Sequence, residues 1–401
     1  MLAKFRSFCE PEVLRTNHRF APTALMIGNF VSGIALLAPT AMLGQLSAGL
    51  GVTIRDAGLL ITFGALVLCV GAPVMAWLTS RVERRHLLMG TIAVVAVANF
   101  ASALAPDYAV LLGIRLLMAA VAALYTPQAA GTVGLIVPPD KRGSSVAYVF
   151  LGWTLVVAVG LPLVSFVASR YGWRVVYAGI GGMSCASLAL LAWRLPRGLY
   201  GTPVDLSTWT GLARNRLVVL LLLITTLQIS GQFAVFTFLA PLLGQLTGAS
   251  PDAAAAIFAL YGICGLIGIL TATRIVDGWG AFNTSLLATS LLLAGLSVWS
   301  FGAGHLPVMA FGVAIWGMGF GAINSMQQVR LISAAPDAAA ASVALNTSML
   351  YVGQAIGSGS GGLLFASGHF HAAGFIAMGF VALALAAILF SRRLAAGPVS
   401  R

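Results

Sequence analysis

Residues Gly71 to Arg85 read GAPVMAWLTSRVERR. The stretch begins apolar, carries Pro73, and ends in Arg81, Glu83, Arg84 and Arg85, with His86 next. Long apolar runs flank it on both sides. A short basic turn between two apolar runs reads as a cytoplasmic loop between membrane helices. The chain then says nearly the same thing again. Gly268 to Gly280 reads GILTATRIVDGWG in the same setting, 197 residues on and close to half of the 401. The same offset links Pro139-Asp140 with Pro336-Asp337, Ser145-Val146-Ala147 with Ser342-Val343-Ala344, and Gly160 with Gly357. This internal repeat decides the architecture: two similar bundles in tandem.

Composition agrees. Apolar residues make up 59% of the chain and charged residues 8%, where a soluble protein carries roughly 25% charge. The net charge of +12 raises the question of nucleic acid. The basic residues sit in short loops rather than on one polar face, which excludes that partner. Cys9, Cys69, Cys185 and Cys264 are scattered without metal or disulfide spacing and read as free thiols. His369 and His371 fall in a short loop without further ligands, so no metal site is expected.

Taken in order, Met1 to Phe20 is polar, lacks the pattern of a signal peptide, and reads as a cytoplasmic tail. Apolar runs follow at about 23–50, 54–80, 87–105, 108–136, 144–169 and 173–193, each long enough for the ~20 residues that cross a bilayer. The Pro-, Gly- and Arg-rich interval 194–216 comes next, and six more runs lie at about 217–247, 252–276, 283–302, 307–333, 340–367 and 372–391. The expected fold is an all-α membrane protein of twelve transmembrane helices in two pseudo-symmetric six-helix bundles. Residues 1–193 form the first bundle with its tail, 194–216 a linker, and 217–401 the second bundle. Eighteen Lys and Arg residues fall on the side of the termini, against Arg55, Arg170 and Arg174 on the other. Both termini and the linker are therefore expected in the cytoplasm.

At this point the residues resemble the major facilitator superfamily, over essentially the whole chain. Arg81, Arg84 and Arg85 fit that superfamily's loop signature between the second and third helices. Ser80 stands where an aspartate is usual, and Glu83 and Ala76 replace glycines, while the second copy keeps Asp277 and Gly280 and carries Arg274. Arg115 in LLGIRLLMAA is similar to the arginine of the fourth-helix motif, with Met118 where glutamine is frequent. Gly160-Leu161-Pro162 resembles the Gly-x-Pro element of antiporters, followed by Gly172-Trp173-Arg174; Pro139 to Gly143 resembles the 4–5 loop. The set is most similar to the twelve-helix drug:proton antiporter branch, including arabinose-efflux-like members. That resemblance implies a multi-pass protein of the inner membrane, a small-molecule substrate, protons as coupling ion, and no cofactor.

The residues have their own physical reading. Arg115 lies eight residues past Asp107, roughly 12 Å into its helix at 1.5 Å per residue. An arginine at that depth must face protein or a water-filled cavity. Two readings stay open: a guanidinium satisfied by carbonyls of the first helix with Asn29 or Ser32, or a cavity charge that holds substrate or senses protonation. No Asp or Glu lies deep in any run, and Gly33 to Leu36 occupies the region where related antiporters often carry an acid. Gln228 and Gln232 share a face of the seventh helix, and Trp316, Phe320, Asn324 and Gln327 form a stripe on the tenth. They read as interhelical glue or, with Phe150 and Phe236, as the lining of the path. Gly160, Pro162 and Gly357 read as tight packing or as a flexing seam, and with Arg81, Arg84, Arg85, Arg274 and Asp277 they are the gating candidates.

The expected function is secondary active transport, proton-coupled efflux of small drug-like or sugar-like compounds by alternating access. The alternative is an uncoupled facilitator or importer. A membrane enzyme is disfavoured because no HExxH, paired membrane carboxylates or Cys/His set appears. A channel is disfavoured by the two-fold repeat and the lack of a charged pore ring.

Overall fold

The computed structural model of the chain describes residues 20–79, 81–138, 142–200 and 211–395. Ser80, Pro139, Asp140 and Lys141 lie outside the described residues, with 1–19, 201–210 and 396–401, as does the side chain of Asp277. The elements are α1 (Ala21–Ala41), α2 (Leu43–Leu50), α3 (Ile54–Leu78), α4 (Arg84–Ala103), α5 (Tyr108–Ala122), α6 (Tyr125–Ile136), α7 (Arg142–Leu155), a π-turn (Val156–Gly160) and α8 (Leu161–Tyr171). They continue with α9 (Trp173–Arg194), α10 (Arg216–Phe236), α11 (Leu239–Thr247), α12 (Pro251–Phe301), α13 (Leu306–Ala334), α14 (Ala339–Ala366) and α15 (Phe370–Ala395).

Several expected spans are built from two pieces. The first is α1 and α2, the fourth α5 and α6, the fifth α7 to α8 through the π-turn, and the seventh α10 and α11. The eighth and ninth form one 51-residue helix, α12, that turns back at Gly280. Gly280 has φ of 77°, a conformation open to glycine at no steric cost. Among the described residues, eleven helices are long and apolar enough to cross a membrane. The expected eleventh span, α14, is not among them, although its 28 residues exceed the ~20 needed. Its Ser, Gly, Asn and Gln content dilutes its hydropathy, and those small residues bury it against neighbours rather than lipid.

The repeat is visible at atomic detail. Helices α2 and α11 both end on left-handed glycines, Gly51 and Gly248, 197 residues apart. Thr53 and Ser250, also 197 apart, each accept a first-turn N–H of the next helix, from Asp56 at 3.1 Å and Ala253 at 3.2 Å.

Helices α1 to α9 pack mainly on one another, and α10 to α15 likewise. The two sets meet along α3 with α14, and along α8 and the π-turn with α12. These two seams are the same pairing related by the repeat. One end of the helices carries Arg81, Arg84, Arg85, Arg194, Arg216, Arg330, Arg392 and Arg393; it is called the basic face below, and the opposite end the distal face.

Candidate functional site

Helix α1 carries Pro39 in its interior. Proline has no N–H, so the carbonyl four residues earlier, that of Ala35, lacks its helical donor. Arg115 Nη2 donates to that carbonyl. Nη1 faces Asn99 Oδ1 at 3.4 Å and Met118 Sδ at 3.5 Å. The guanidinium lies 5.1 Å from the centre of the Tyr177 ring, within cation–π range. Arg115 is 4% exposed. It ties α5 to α1, α4 and α9.

The first-helix carbonyl thus fits one of the two sequence readings of Arg115, but the amide beside it is Asn99 rather than Asn29. Asn29 serves another junction: its Nδ2 donates to Val149 O at 2.9 Å, and its Oδ1 accepts from Thr126 Oγ1 at 2.7 Å. Trp153 Nε1 donates to the same Thr126 hydroxyl at 3.0 Å. Ser32 is buried, and its hydroxyl has no partner.

A small cavity of about 20 Å³ lies between the two helix sets. Arg115, Trp153 and Ala65 line it from one set, Tyr351 and Gln354 from the other.

In the second set, hydrogen-bond accounting separates two groups. Towards the basic face the amides are satisfied. Asn324 Oδ1 accepts from Asn346 Nδ2 at 3.0 Å, and Asn346 Oδ1 accepts from Thr225 Oγ1 at 2.6 Å. Gln327 Nε2 donates to Leu221 O at 3.1 Å while its Oε1 accepts from Arg330 Nη1 at 3.1 Å. Arg330 also reaches Ser285 at 3.3 Å and Ser391 at 2.5 Å. This is a structural network, as membrane amides commonly form.

Deeper along α10 the balance changes. Gln228 donates to Thr289 at 2.7 Å, but its Oε1 has no partner; nor has Gln232 Oε1. Tyr261 OH and Trp316 Nε1 are also buried and unpartnered. Tyr261 joins three rings: Phe236 at 5.0 Å, Trp316 at 5.2 Å and Phe320 at 5.7 Å between centroids. Leaving one such group unpaired costs about 1–3 kcal/mol, so each calls for an explanation. Sequence reasoning named Gln228, Gln232, Phe236, Trp316 and Phe320. It missed Tyr261, whose apolar surroundings on α12 look like ordinary core. Phe150 is half-buried on α7, away from this cluster's ring contacts.

The seams hold the gating candidates. Thr62 and Ser358 share a hydrogen bond of 2.9 Å across α3 and α14. Across the other seam, Gly262 lies directly on the backbone of Val157 and Ala158 in the π-turn, so a Cβ there would collide with main chain. Arg170 Nη2 approaches Asp252 Oδ2 at 3.6 Å. Pro162 stands just after the π-turn and removes the donor to Ala158 O, which fits the local change of helical pitch. An added Cβ at Gly160 would meet Ile34 of its own set, and one at Gly357 would meet Ser230 of its own, so both glycines turn their bare face away from the other set.

On the basic face, Glu83 Oε1 accepts the Gly198 N–H at 2.6 Å, and Glu83 Oε2 lies 2.7 Å from His86 Nδ1. Gly198 has φ of 78°, which suits glycine. Arg85 donates to Ala192 O and Leu195 O, both at 2.5 Å. The Gly198 N–H, then His86 and Arg85, hold the Glu83 carboxyl below the usual glutamate range. Arg84 Nε and Nη1 are buried and unpartnered. Arg81 and Arg274 are exposed.

Comparison with known proteins places this geometry. The model of the Major Facilitator Superfamily matches residues 25–357 and 221–400. The inner membrane transport protein YdhP of Escherichia coli O157:H7 is 30% identical over 350 residues, covering 86% of this chain and 88% of that protein. A probable sugar efflux transporter of Mannheimia succiniciproducens is 25% identical, with 85% of each chain covered. Among solved structures, a bacterial homologue of the human lysosomal transporter Spinster, inward-facing and unoccupied, matches with a TM-score of 0.74 at 16% identity, covering 96% of this chain and 98% of that one. The nucleoside transporter NupG matches at 0.71 and 11% identity, covering 93% and 100%. The protein is a multi-pass membrane transporter rather than an enzyme, and the chain belongs to the Major Facilitator Superfamily.

Proposed function

We propose that the protein exports a small organic solute across the inner membrane by proton antiport, with two bundles, 1–193 and 217–401, rocking about a site between them. The observation that carries this reading is the placement of the inter-bundle contacts. Among the described residues, Thr62–Ser358 and Arg170–Asp252 are polar contacts that join the two helix sets. Both lie towards the distal face. That pattern is expected of a carrier closed on one side and poised to open on the other. The excess of arginine at the basic face supports a cytoplasmic placement of that face, and in this reading the state is closed to the outside. The efflux direction draws on the name of the Mannheimia relative. Proton coupling draws on the antiporter-like Gly160-Leu161-Pro162 element, here with a π-turn beside the seam.

In this reading Arg115, Gln228, Gln232, Phe236 and Phe320 belong to the path, while Asn29, Asn324 and Gln327 hold helices together. Arg81, Arg84, Arg85, Arg274 and Asp277 act at the cytoplasmic closure, and Gly160, Pro162 and Gly357 let helices bend or approach. The uncoupled facilitator is the second reading. It is favoured by one feature: every Asp and Glu of the described spans sits at a helix start or a turn. Solute flux from proteoliposomes with and without an imposed pH gradient decides between them. Flux that follows the gradient supports antiport, and flux indifferent to it supports the facilitator. Labelling of a cysteine at position 305 from outside intact cells checks the orientation.

A further inference from the structure

We infer that the cavity between the two helix sets binds a single chloride ion, held by Arg115 from one set and Gln354 from the other. Arg115 is 4% exposed within a membrane-spanning helix, where an arginine needs a compensating charge or a wet cavity. Its protein contacts are all neutral: the Ala35 carbonyl, the Asn99 amide, the Met118 sulfur and the Tyr177 ring. They engage Nη1 and Nη2 and leave Nε–H without a partner. Among the described residues, no Asp or Glu lines the cavity or pairs with Arg115. The guanidinium is hydrogen-bonded, but its charge is not neutralised by the protein.

The cavity selects what neutralises it. Its volume is about 20 Å³, room for one water-sized body. That excludes carboxylates, phosphate and sulfate and admits a monatomic anion. Gln354 lines the cavity from α14, is 6% exposed, and its side-chain amide makes no hydrogen bond to the described residues. Its N–H groups are donors, as is the Arg115 Nε–H, and chloride accepts from both. Leu36, Leu60 and Leu68 form an aliphatic part of the wall, where attraction between opposite charges is stronger than in water. A water molecule fits the volume but brings no charge, and an unpaired buried ion is costly.

The ion is tied to the state of the bundles. Gln354 lies four residues before Ser358 on α14 and shares its face, and Ser358 bonds Thr62 across the seam. Parting α14 from α3 carries Gln354 away from Arg115. Chloride therefore favours the state closed at the distal face.

Purified full-length protein in detergent is dialysed against radioactive sodium chloride, and its Tm is followed as sodium chloride replaces sodium gluconate at constant ionic strength. Chloride should bind at one site per chain and raise the Tm saturably, whereas gluconate is too large for the cavity. Gln354→Met should weaken chloride binding by about tenfold or more, the scale of one lost hydrogen bond to an ion. Gln354→Glu sets a fixed negative charge against Arg115. It should bind no chloride, and its Tm in gluconate should exceed that of the parent and no longer respond to chloride. A parent that binds no chloride and has a Tm indifferent to the anion overturns the site, since the cavity then holds water alone. Chloride binding unchanged in both Gln354 variants places the ion elsewhere and overturns it too. Neither readout involves transport, so either failure leaves the transport reading intact.

Discussion

Arg115 and Pro39 share no hydrogen bond, yet one creates the site of the other: Pro39 frees the Ala35 carbonyl, and Arg115 fills it. A charged donor on such a carbonyl contributes about 1.5–3 kcal/mol. Arg115→Gln should therefore lower the Tm in detergent without unfolding the protein, and Arg115→Lys should do so less if charge decides and equally if the planar fork decides. Restoring the helical donor with Pro39→Ala should recover about 1 kcal/mol in the Arg115→Gln background. A double-mutant cycle of thermal stabilities measures this coupling; strictly additive losses would show that the two positions act independently.

Gly262 sits on main chain, which cannot move aside as a flexible side chain can. Gly262→Val should force α12 from the π-turn and raise the population open at the distal face. Spin-label distances between the two helix sets at that face should lengthen or become bimodal. An unchanged distribution with a folded protein would show that the seam absorbs the methyl groups elsewhere.

The Arg170–Asp252 pair spans the same seam but is more than half exposed on both sides. Such pairs contribute about 0–1 kcal/mol and are screened by salt. Asp252→Asn should change the spin-label populations only slightly, and less still at high ionic strength. A shift as large as that of Gly262→Val would make the ion pair, not the backbone contact, the principal closure.

Glu83 predicts a pH dependence on the basic face. Its folded pKa is depressed, first by the Gly198 N–H. The anchor is then present above the unfolded glutamate value, about 4.3, and is lost as the pH falls through the lower folded value. Amide exchange at Gly198 should be faster in Glu83→Gln than in the parent at neutral pH. The two should converge once the pH has fallen below the folded Glu83 value, where both side chains are neutral. Equal exchange at neutral pH would mean that Arg85, through Ala192 and Leu195, holds the segment alone.

Hydropathy and the 197-residue offset were enough to read an all-helical membrane protein and the order of its apolar runs, because membrane spans must satisfy their backbones internally and so appear as long uniform runs. The offset even extends to caps and glycine stops, such as Thr53 with Ser250 and Gly51 with Gly248. A first-helix carbonyl was already one of the two readings of Arg115; that it is the Ala35 carbonyl freed by Pro39, with Asn99 beside it, shows only in the structure. Partners from distant helices are what the sequence hides. Asn29 pairs 120 residues away with Val149, and Glu83 pairs 115 residues away with Gly198. Tyr261 is the clearest case, since an unpaired hydroxyl is defined by what neighbouring helices fail to offer.

Locking the distal seam tests alternating access most directly. Thr62→Cys with Ser358→Cys, made after replacing Cys9, Cys69, Cys185 and Cys264 by alanine, places two thiols where two hydroxyls now stand 2.9 Å apart. Solute counterflow into proteoliposomes is then measured for the oxidised and the reduced protein. Oxidation should abolish counterflow and dithiothreitol should restore it, because the bundles must part at this face in every cycle. Counterflow that continues at the parent rate through a fully formed cross-link would contradict a carrier that opens here.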